Sequence, residues 1–456
     1  MKRIETACRA LPRWSRRTVH LLAVLLAFSV VLTIAPRCWG ASKFKVLYSF
    51  KGGTDGWLPG GTLTLRAGKL YGSTVYGGNN QPACDGYGCG TVFELTNAGG
   101  QWTENILYAF CPQSGCSDGA NPNGSLVLDA TGNLYGTTFD GGGGTQQCSM
   151  STGAGCGVVF ELAPQKNGSW NENVLYRFQT NSGGAGPQGG LVSDKAGKLY
   201  GTTAAAGNCC SDIYYWGAGV VFELLPGSSG WTENVLYSFC SQPNCSDGNA
   251  PYAGLMWGAD GALYGTTAFG GTGFEVCVGG CGTAFKLAPQ SKGSWKEDVP
   301  HAMRGRDGVQ PEAALVADRQ GNLYGTTPLD GAFGYGTVFQ LTYRNGRWHY
   351  RVLYNFQTGS FYGSEATTPV LDKAGNIYGT IWTSGDGNCD GLSCGLVYKL
   401  TPGPGGEWKY SVVHSFSGND GGLPTADLII DGKGNLYGGT EAGGPAGHGV
   451  IYEITP

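Results

Sequence analysis

Histidine, methionine and charge are all in short supply in this chain of 456 residues, which has five histidines, four methionines and charged side chains at only 14% of positions. Four histidines (His301, His349, His414 and His448) lie beyond residue 40. They are too few for repeated Cys/His metal sites, and no Ser-His-Asp arrangement can be assembled around them. No basic cluster occurs after residue 40, where 22 basic residues face 32 acidic ones. A surface that acidic repels phosphate backbones and anionic headgroups, which argues against nucleic acid or a membrane surface as partner. The one long apolar run is Leu21–Ala35, short of the roughly 20 residues a membrane span needs. Beyond it no stretch carries a helical apolar period of useful length, which excludes an α-helical fold.

The leader reads as a secretory signal. Lys2, Arg3, Arg9, Arg13, Arg16 and Arg17 precede the apolar run against the single acid Glu5, and Pro36-Arg37-Cys38-Trp39-Gly40-Ala41 follows it. Cleavage is expected after Gly40, giving a secreted or periplasmic protein with no membrane span. An uncleaved anchor is the alternative. Ser15-Arg16-Arg17 leaves twin-arginine export open beside the general route.

Cysteine is plentiful by contrast. The fourteen beyond residue 40 fall into close pairs: Cys84/Cys89, Cys111/Cys116, Cys148/Cys156, Cys209/Cys210, Cys240/Cys245, Cys277/Cys281 and Cys389/Cys394. In an oxidising compartment such pairs are expected to close as disulfides. A zinc reading would need two pairs of ligands to converge, and the sequence has no matching supply of histidines.

A repeat dominates everything else. Leu/Ile-Tyr-Gly recurs at Tyr71, Tyr135, Tyr200, Tyr264, Tyr324, Tyr378 and Tyr437, spaced by 64, 65, 64, 60, 54 and 59 residues. Around it four short segments, called A to D here, recur in step. They are typified by Ser125–Asp129 (A), Asn133–Thr138 (B), Gly90–Leu95 (C) and Trp231–Phe239 (D). Each is rich in β-branched and aromatic residues and bounded by Gly, Asn, Asp or Pro, which is the signature of a strand. The chain beyond the leader opens on a lone segment D, Lys43–Phe50, and closes on a segment C, Gly449–Ile454. This phase predicts an all-β, seven-bladed propeller with four antiparallel strands per blade. The N-terminal strand completes the last blade, so no edge is left open.

The repeats resemble the Gloeo/Verruco tandem repeat of exported bacterial proteins, some of which carry a C-terminal anchor. The resemblance rests on Gly-Asn-Leu-Tyr-Gly-Thr-Thr (132–138 and 321–327), Gly-Thr-Val-Phe-Glu-Leu-Thr (90–96) and Trp-Thr-Glu-Asn-Val-Leu-Tyr-Ser-Phe (231–239). It implies an extracellular repeat protein of undefined activity. Only Thr455 and Pro456 follow Ile454, so an unanchored form is expected here.

With strand D outermost, strand A lines a central channel, and the A–B and C–D turns share one face. The B–C and D–A loops share the other, and they are long and variable. From the strand-B Tyr to the strand-C aromatic the separations are 22, 25, 22, 21, 15, 20 and 15 residues, and every cysteine pair falls in this loop set. Bridged loops clustered on one face are expected to form a recognition surface.

Several residues there are candidates. Asp55, Asp118, Asp247, Asp307 and Asp420 each begin Asp-Gly-x-x-Pro. They read either as carboxylates around the channel mouth or as turn formers. Asp386, Asn388 and Asp390 match the opening of a calcium loop, although its later ligand positions hold Cys394 and Val397. Ca2+ is therefore the one cofactor suggested. Loop aromatics, foremost Tyr214, Tyr215 and Trp216 with Phe274, Tyr335 and Trp382, and also Tyr76 and Tyr87, suit sugar rings or else cover the blade tops. The leading expectation is a monomeric, non-catalytic propeller that binds a glycan or a cell-surface component through this face. A polysaccharide lyase or glycosidase using channel carboxylates is the alternative, and a protein–protein scaffold the third.

Overall fold

The computed structural model describes residues 42–456 except 85, 144–154, 180–182, 208–217, 274, 276, 358–366, 386–388 and 390–391. Ala41–Pro456 is one compact unit built as a ring of seven sheets, each ordered A–B–C–D, with blade 2 adding a short strand, Ala120–Pro122, beside its strand B. Blade 1 comprises Trp57–Arg66, Lys69–Tyr76, Thr91–Ala98 and Gln101–Ala109. In blade 7, Ile429–Ile430, Leu436–Thr440 and Val450–Thr455 are joined by Lys43–Ser49, which pairs antiparallel with Val450–Thr455 from Lys43↔Thr455 to Ser49↔Val450. The predicted closure is therefore present.

Outside blade 1, strand A is shorter than expected. In blade 2 the ladder covers only Val127–Leu128 rather than Ser125–Asp129. Residues 124 and 125 press against the neighbouring blade instead: a Cβ on Gly124 would lie 2.9 Å from the Gly189 carbonyl oxygen, and one on Gly190 would lie 2.3 Å from Ser125 Oγ.

Each residue of the strand-B motif has its own task, seen in blade 3. Leu199 is buried in the core. Tyr200 Oη donates to Glu223 Oε1 at 2.9 Å and lies 3.2 Å from Asp194 Oδ2. Gly201 lies under the Phe222 ring, where a Cβ would be 2.6 Å from Cζ. Thr202 Oγ1 donates to the Ala253 carbonyl of the next blade at 2.9 Å. Thr203 Oγ1 accepts from Val220 N at 3.2 Å. The interblade threonine bond recurs at Thr266 to Ala313 O (3.0 Å) and Thr326 to Thr367 O (3.1 Å). Each such buried bond stabilises the ring by about 1 kcal/mol.

Between blades, the phenylalanine ending one strand D packs edge-on against the strand-C aromatic of the next blade. Examples are Phe50–Phe93 at 5.3 Å, Phe110–Phe160 at 5.0 Å, Phe239–Phe285 at 5.0 Å and Phe416–Tyr452 at 5.2 Å. Burying each ring contributes roughly 1.5–3 kcal/mol. Because the ring covers Gly201, Gly201→Ala should destabilise the protein by about 1–3 kcal/mol through overpacking. Urea denaturation would check this, and an unchanged midpoint would contradict it.

Candidate functional site

The two long-loop sets lie on one face, hydrogen-bonded to each other in five blades among the described residues. Gly78 N donates to Gly53 O (2.8 Å), Gly142 N to Cys116 O (2.8 Å), Gly271 N to Cys245 O (2.8 Å), Gly331 N to Gly305 O (2.9 Å) and Gly444 N to Gly418 O (2.8 Å). Bridges Cys84–Cys89, Cys111–Cys116, Cys240–Cys245, Cys277–Cys281 and Cys389–Cys394 staple these loops. Cys156 is also disulfide-bonded, whereas Cys148, Cys209 and Cys210 lie outside the described residues.

Where chain ends meet, at the junction of blades 7 and 1, this face carries a cluster of four rings. Trp57 lies 5.5 Å from Tyr76, 5.4 Å from Tyr87 and 5.3 Å from His448, and Tyr76 lies 5.6 Å from Tyr87, centroid to centroid. Tyr87 is 55% exposed, inside the loop closed by Cys84–Cys89. Trp57 enters as the first residue of strand A, and its partner His448 comes from the last B–C loop, tied down by Leu58 N donating to His448 O at 3.3 Å. Tyr76 and Tyr87 were legible as loop aromatics. Trp57 and His448 were not, because Trp57 falls inside an Asp-Gly-x-x-Pro turn and His448 stands alone in a short B–C loop.

The other aromatic candidates are placed differently. Trp382 packs partly buried against the blade 6–7 core, its Nε1 donating to Glu441 Oε2 at 3.3 Å. Tyr335 packs partly buried against the blade 5–6 core. Tyr214, Tyr215, Trp216 and Phe274 lie outside the described residues, as do Asp386, Asn388 and Asp390 of the calcium-loop match. Cys389 within that match is bridged to Cys394.

The central channel is a cavity of about 660 Å3 lined by residues from all seven blades, among them Thr62, Asn123, Gln188, Tyr252, Glu312 and Asp427. None of Asp55, Asp118, Asp247, Asp307 and Asp420 is among its lining residues. Each instead receives the side chain that fills the strand-D slot at the blade's outer side: Tyr48 to Asp55 (2.5 Å), Tyr108 to Asp118 (2.9 Å), Tyr237 to Asp247 (2.8 Å), His301 to Asp307 (2.9 Å) and His414 to Asp420 (3.0 Å). Backbone amides of Lys51, Cys111, Ser241 and Ser417 close turns on four of them. Among the described residues, the carboxylates that line the channel are Glu312 and Asp427. Asp427 joins two blades, accepting from Thr62 Oγ1 and Thr368 N, both at 2.8 Å, and burial pushes its carboxyl up.

The outer strands hold a feature that the sequence reading passed over. Two residues after the strand-D tryptophan stand Glu104, Glu172, Glu233 and Glu297 in four blades, then Tyr350 and Tyr410, and Phe44 takes the matching place in the closing strand. The choice follows the preceding blade. Where the slot is tyrosine with aspartate, glutamate follows, Glu104 facing Asp55, Glu172 facing Asp118 and Glu297 facing Asp247. Where it is histidine, a flat ring follows: Tyr350 stacks on His301 at 3.9 Å and Phe44 on His414 at 3.8 Å. Tyr176 donates to Glu233 at 2.8 Å, and Tyr354 stacks on Tyr410 at 4.9 Å. Burial, aided by the neighbouring aspartates, pushes Glu104 and Glu172 up to about 7 and Glu297 up to about 8; burial alone takes Glu233 to about 7.

Among solved structures, the fold is similar to an ulvan lyase of a polysaccharide lyase family, bound to -[GlcA(1-4)Rha3S]-, at 11% identity and a TM-score of 0.51, covering 90% of this chain and 94% of that one. It is also similar to the NanB sialidase from Streptococcus pneumoniae (11% identity, TM-score 0.41, 90% and 70% covered) and to a gluconolactonase from Xanthomonas campestris (13%, 0.36, 91% and 89%). Likeness at this identity shows the propeller fold alone. Among proteins with curated descriptions, none matches this chain in sequence. A family model described as the Gloeobacter/Verrucomicrobia repeat matches residues 31–208 and 143–394. With its motifs spread over the seven blades in this way, the chain belongs to the Gloeobacter/Verrucomicrobia repeat family.

Proposed function

We propose that this is an exported, non-catalytic binding protein that holds a glycan on its long-loop face, with Trp57, Tyr76, Tyr87 and His448 as the platform. The observation that carries the reading is the packing of Tyr76, Tyr87 and His448 around Trp57, with Tyr87 exposed. Sugar C–H faces stack on such rings, and amphipathic aromatics contribute apolar area and a polar edge together. The bridged and hydrogen-bonded loop keeps the platform ordered before a ligand arrives, which reduces the entropic cost of binding. The acidic surface favours a neutral or basic glycan over a polyanionic one.

The test is retention on a panel of immobilised polysaccharides, with release of new reducing ends followed in parallel. Trp57→Ala should weaken binding to the retained polysaccharide by about tenfold, equivalent to about 1.4 kcal/mol. Tyr343→Ala, an equally exposed ring (59%) on a C–D hairpin of the opposite face, should leave binding unchanged. Equal retention of wild type and Trp57→Ala would remove the platform from consideration. The second reading, a polysaccharide-cleaving enzyme, is favoured by Glu312 in the channel wall. New reducing ends that disappear in Glu312→Gln would replace the binding reading with that one.

A further inference from the structure

Two of the disulfides do not stand apart. Cys84–Cys89 in the B–C loop of blade 1 and Cys111–Cys116 in the D–A loop leaving the same blade are buried together, and all four sulfurs lie within 4.8 Å of one another. It is the one such group of metal-ligating side chains among the described residues. Both pairs are separated by four intervening residues, a spacing that structural zinc sites use. We propose that Cys84, Cys89, Cys111 and Cys116 form a tetrathiolate zinc site when reduced, so that two disulfides or one Zn2+ can hold this corner of the propeller.

The geometry supports the exchange. Zinc binds thiolate sulfur at about 2.3 Å, which sets the sulfurs of a tetrahedral site about 3.8 Å apart. Reduction lets the two bonded pairs separate to that distance, while the cross pairs, already within 4.8 Å, need close only slightly. The backbone does not depend on the bridges for its position. Cys84 N donates to Gln81 O (2.9 Å), Tyr87 N to Cys84 O (3.0 Å) and Cys89 N to Asn79 O (3.0 Å). Cys111 N donates to Asp118 Oδ2 (2.9 Å), and Gly119 N and Gly142 N both donate to Cys116 O (3.0 and 2.8 Å). Asn121 N joins the two loops through Cys89 O at 2.8 Å. Four thiols would thus remain facing one another inside a buried pocket after their S–S bonds are opened.

The chemistry balances simply. A thiol or phosphine reductant delivers four electrons, and with four protons the two S–S bonds become four thiols. Zn2+ then displaces the four protons and forms four Zn–S bonds, leaving a site of charge −2. A disulfide-forming oxidant such as diamide removes four electrons, restores both S–S bonds and frees the zinc.

The experiment uses the chain from residue 41 carrying Cys209→Ser, Cys210→Ser, Cys240→Ser and Cys245→Ser, which removes the other pair of double-cysteine loops. The protein is reduced with a phosphine without oxygen, titrated with Zn2+ or with Co2+ as a spectroscopic stand-in, and desalted. One equivalent of zinc should be retained, and cobalt should give thiolate charge-transfer absorption. Adding Cys84→Ser and Cys111→Ser should abolish both, whereas adding Cys277→Ser and Cys281→Ser should change neither. Near-ultraviolet circular dichroism reports whether each protein keeps its packed core. Absence of retained zinc in the reduced protein, whether folded or not, overturns the proposal. So does zinc that persists in Cys84→Ser/Cys111→Ser.

Discussion

A chain beginning at Lys51 instead of residue 41 is expected to lose the folded ring. The missing strand pairs with Val450–Thr455 over six positions, and Phe50 N donates to Gly449 O at 3.0 Å. It also contributes the buried Leu47 and Phe50, the edge-on Phe50–Phe93 contact and the Phe44–His414 stack. Loss of Leu47 and Phe50 alone removes about 3–6 kcal/mol of apolar burial, and the ladder bonds add to this. The sum is comparable to the whole stability of a typical domain, about 5–15 kcal/mol. The strand Val450–Thr455 would also become an open edge prone to pairing with other chains. The expected result is insoluble or non-cooperatively melting protein. A circular permutant is the matching control. Because Lys43 lies opposite Thr455, residues 42–50 can follow Pro456 through a short turn like those between other C and D strands, and that permutant should melt within a few degrees of wild type. A truncated chain with an unaltered melting temperature would mean that the closing strand is dispensable.

The second large effect concerns pH. Glu104, Glu172, Glu233 and Glu297 titrate near 7 to 8 in the folded protein, well above an ordinary glutamate, first because they are buried. Their neighbours sharpen the picture: Asp55 and Lys51 face Glu104, Asp118 and Arg177 face Glu172, Tyr176 faces Glu233, and Asp247 and Asp298 face Glu297. A carboxyl that holds its proton more tightly when folded stabilises the fold fully below its unfolded value, and this is lost as pH rises through the folded value. Stability should therefore fall from pH 5 to pH 8.5. Allowing for partial solvent screening, about 1 kcal/mol per glutamate is expected, or about 4 kcal/mol in all. His414, which burial holds below its ordinary value, works in the opposite direction below about pH 6.5, but it is one group against four. Asp129, Asp372 and Asp431, held low by turn amides despite some burial, matter only at lower pH. Replacing all four glutamates with glutamine should flatten the profile and make the variant more stable than wild type at pH 8.5. Urea midpoints at the two pH values read this directly, and a wild-type midpoint that is flat or rises with pH would refute it.

Strand count, blade count, closing phase and five of the cysteine bridges could be read from the sequence because each depends on period and phase, which a repeat displays openly. Radial position is different. The aspartates of Asp-Gly-x-x-Pro sit in loops that run from the rim to the channel, and a loop's sequence does not say where along that path a residue falls. The available signal was the strand-D tyrosine or histidine preceding each of them, with Tyr108 and Asp118 or His301 and Asp307 standing as matched pairs. The glutamates went unread for a related reason. Their meaning appears only when Glu172 is compared with the previous blade's Tyr108 and Asp118, across a repeat boundary. The platform around Trp57 needs residues almost 400 positions apart in the chain, and no local pattern announces such a meeting.

The meeting of Lys43–Ser49 with Val450–Thr455 also sets a timetable for maturation. During synthesis the strand Lys43–Ser49 is made long before Val450–Thr455, and Leu47 and Phe50, both buried in the closed ring, stay exposed to solvent until that partner arrives. Contacts of such long sequence separation form slowly, so the early blades assemble against a missing neighbour for most of this interval. A chain released early, for instance by premature termination, never gains its last partner. A ring lacking Val450–Thr455 thereby keeps an unsealed gap beside Lys43–Ser49.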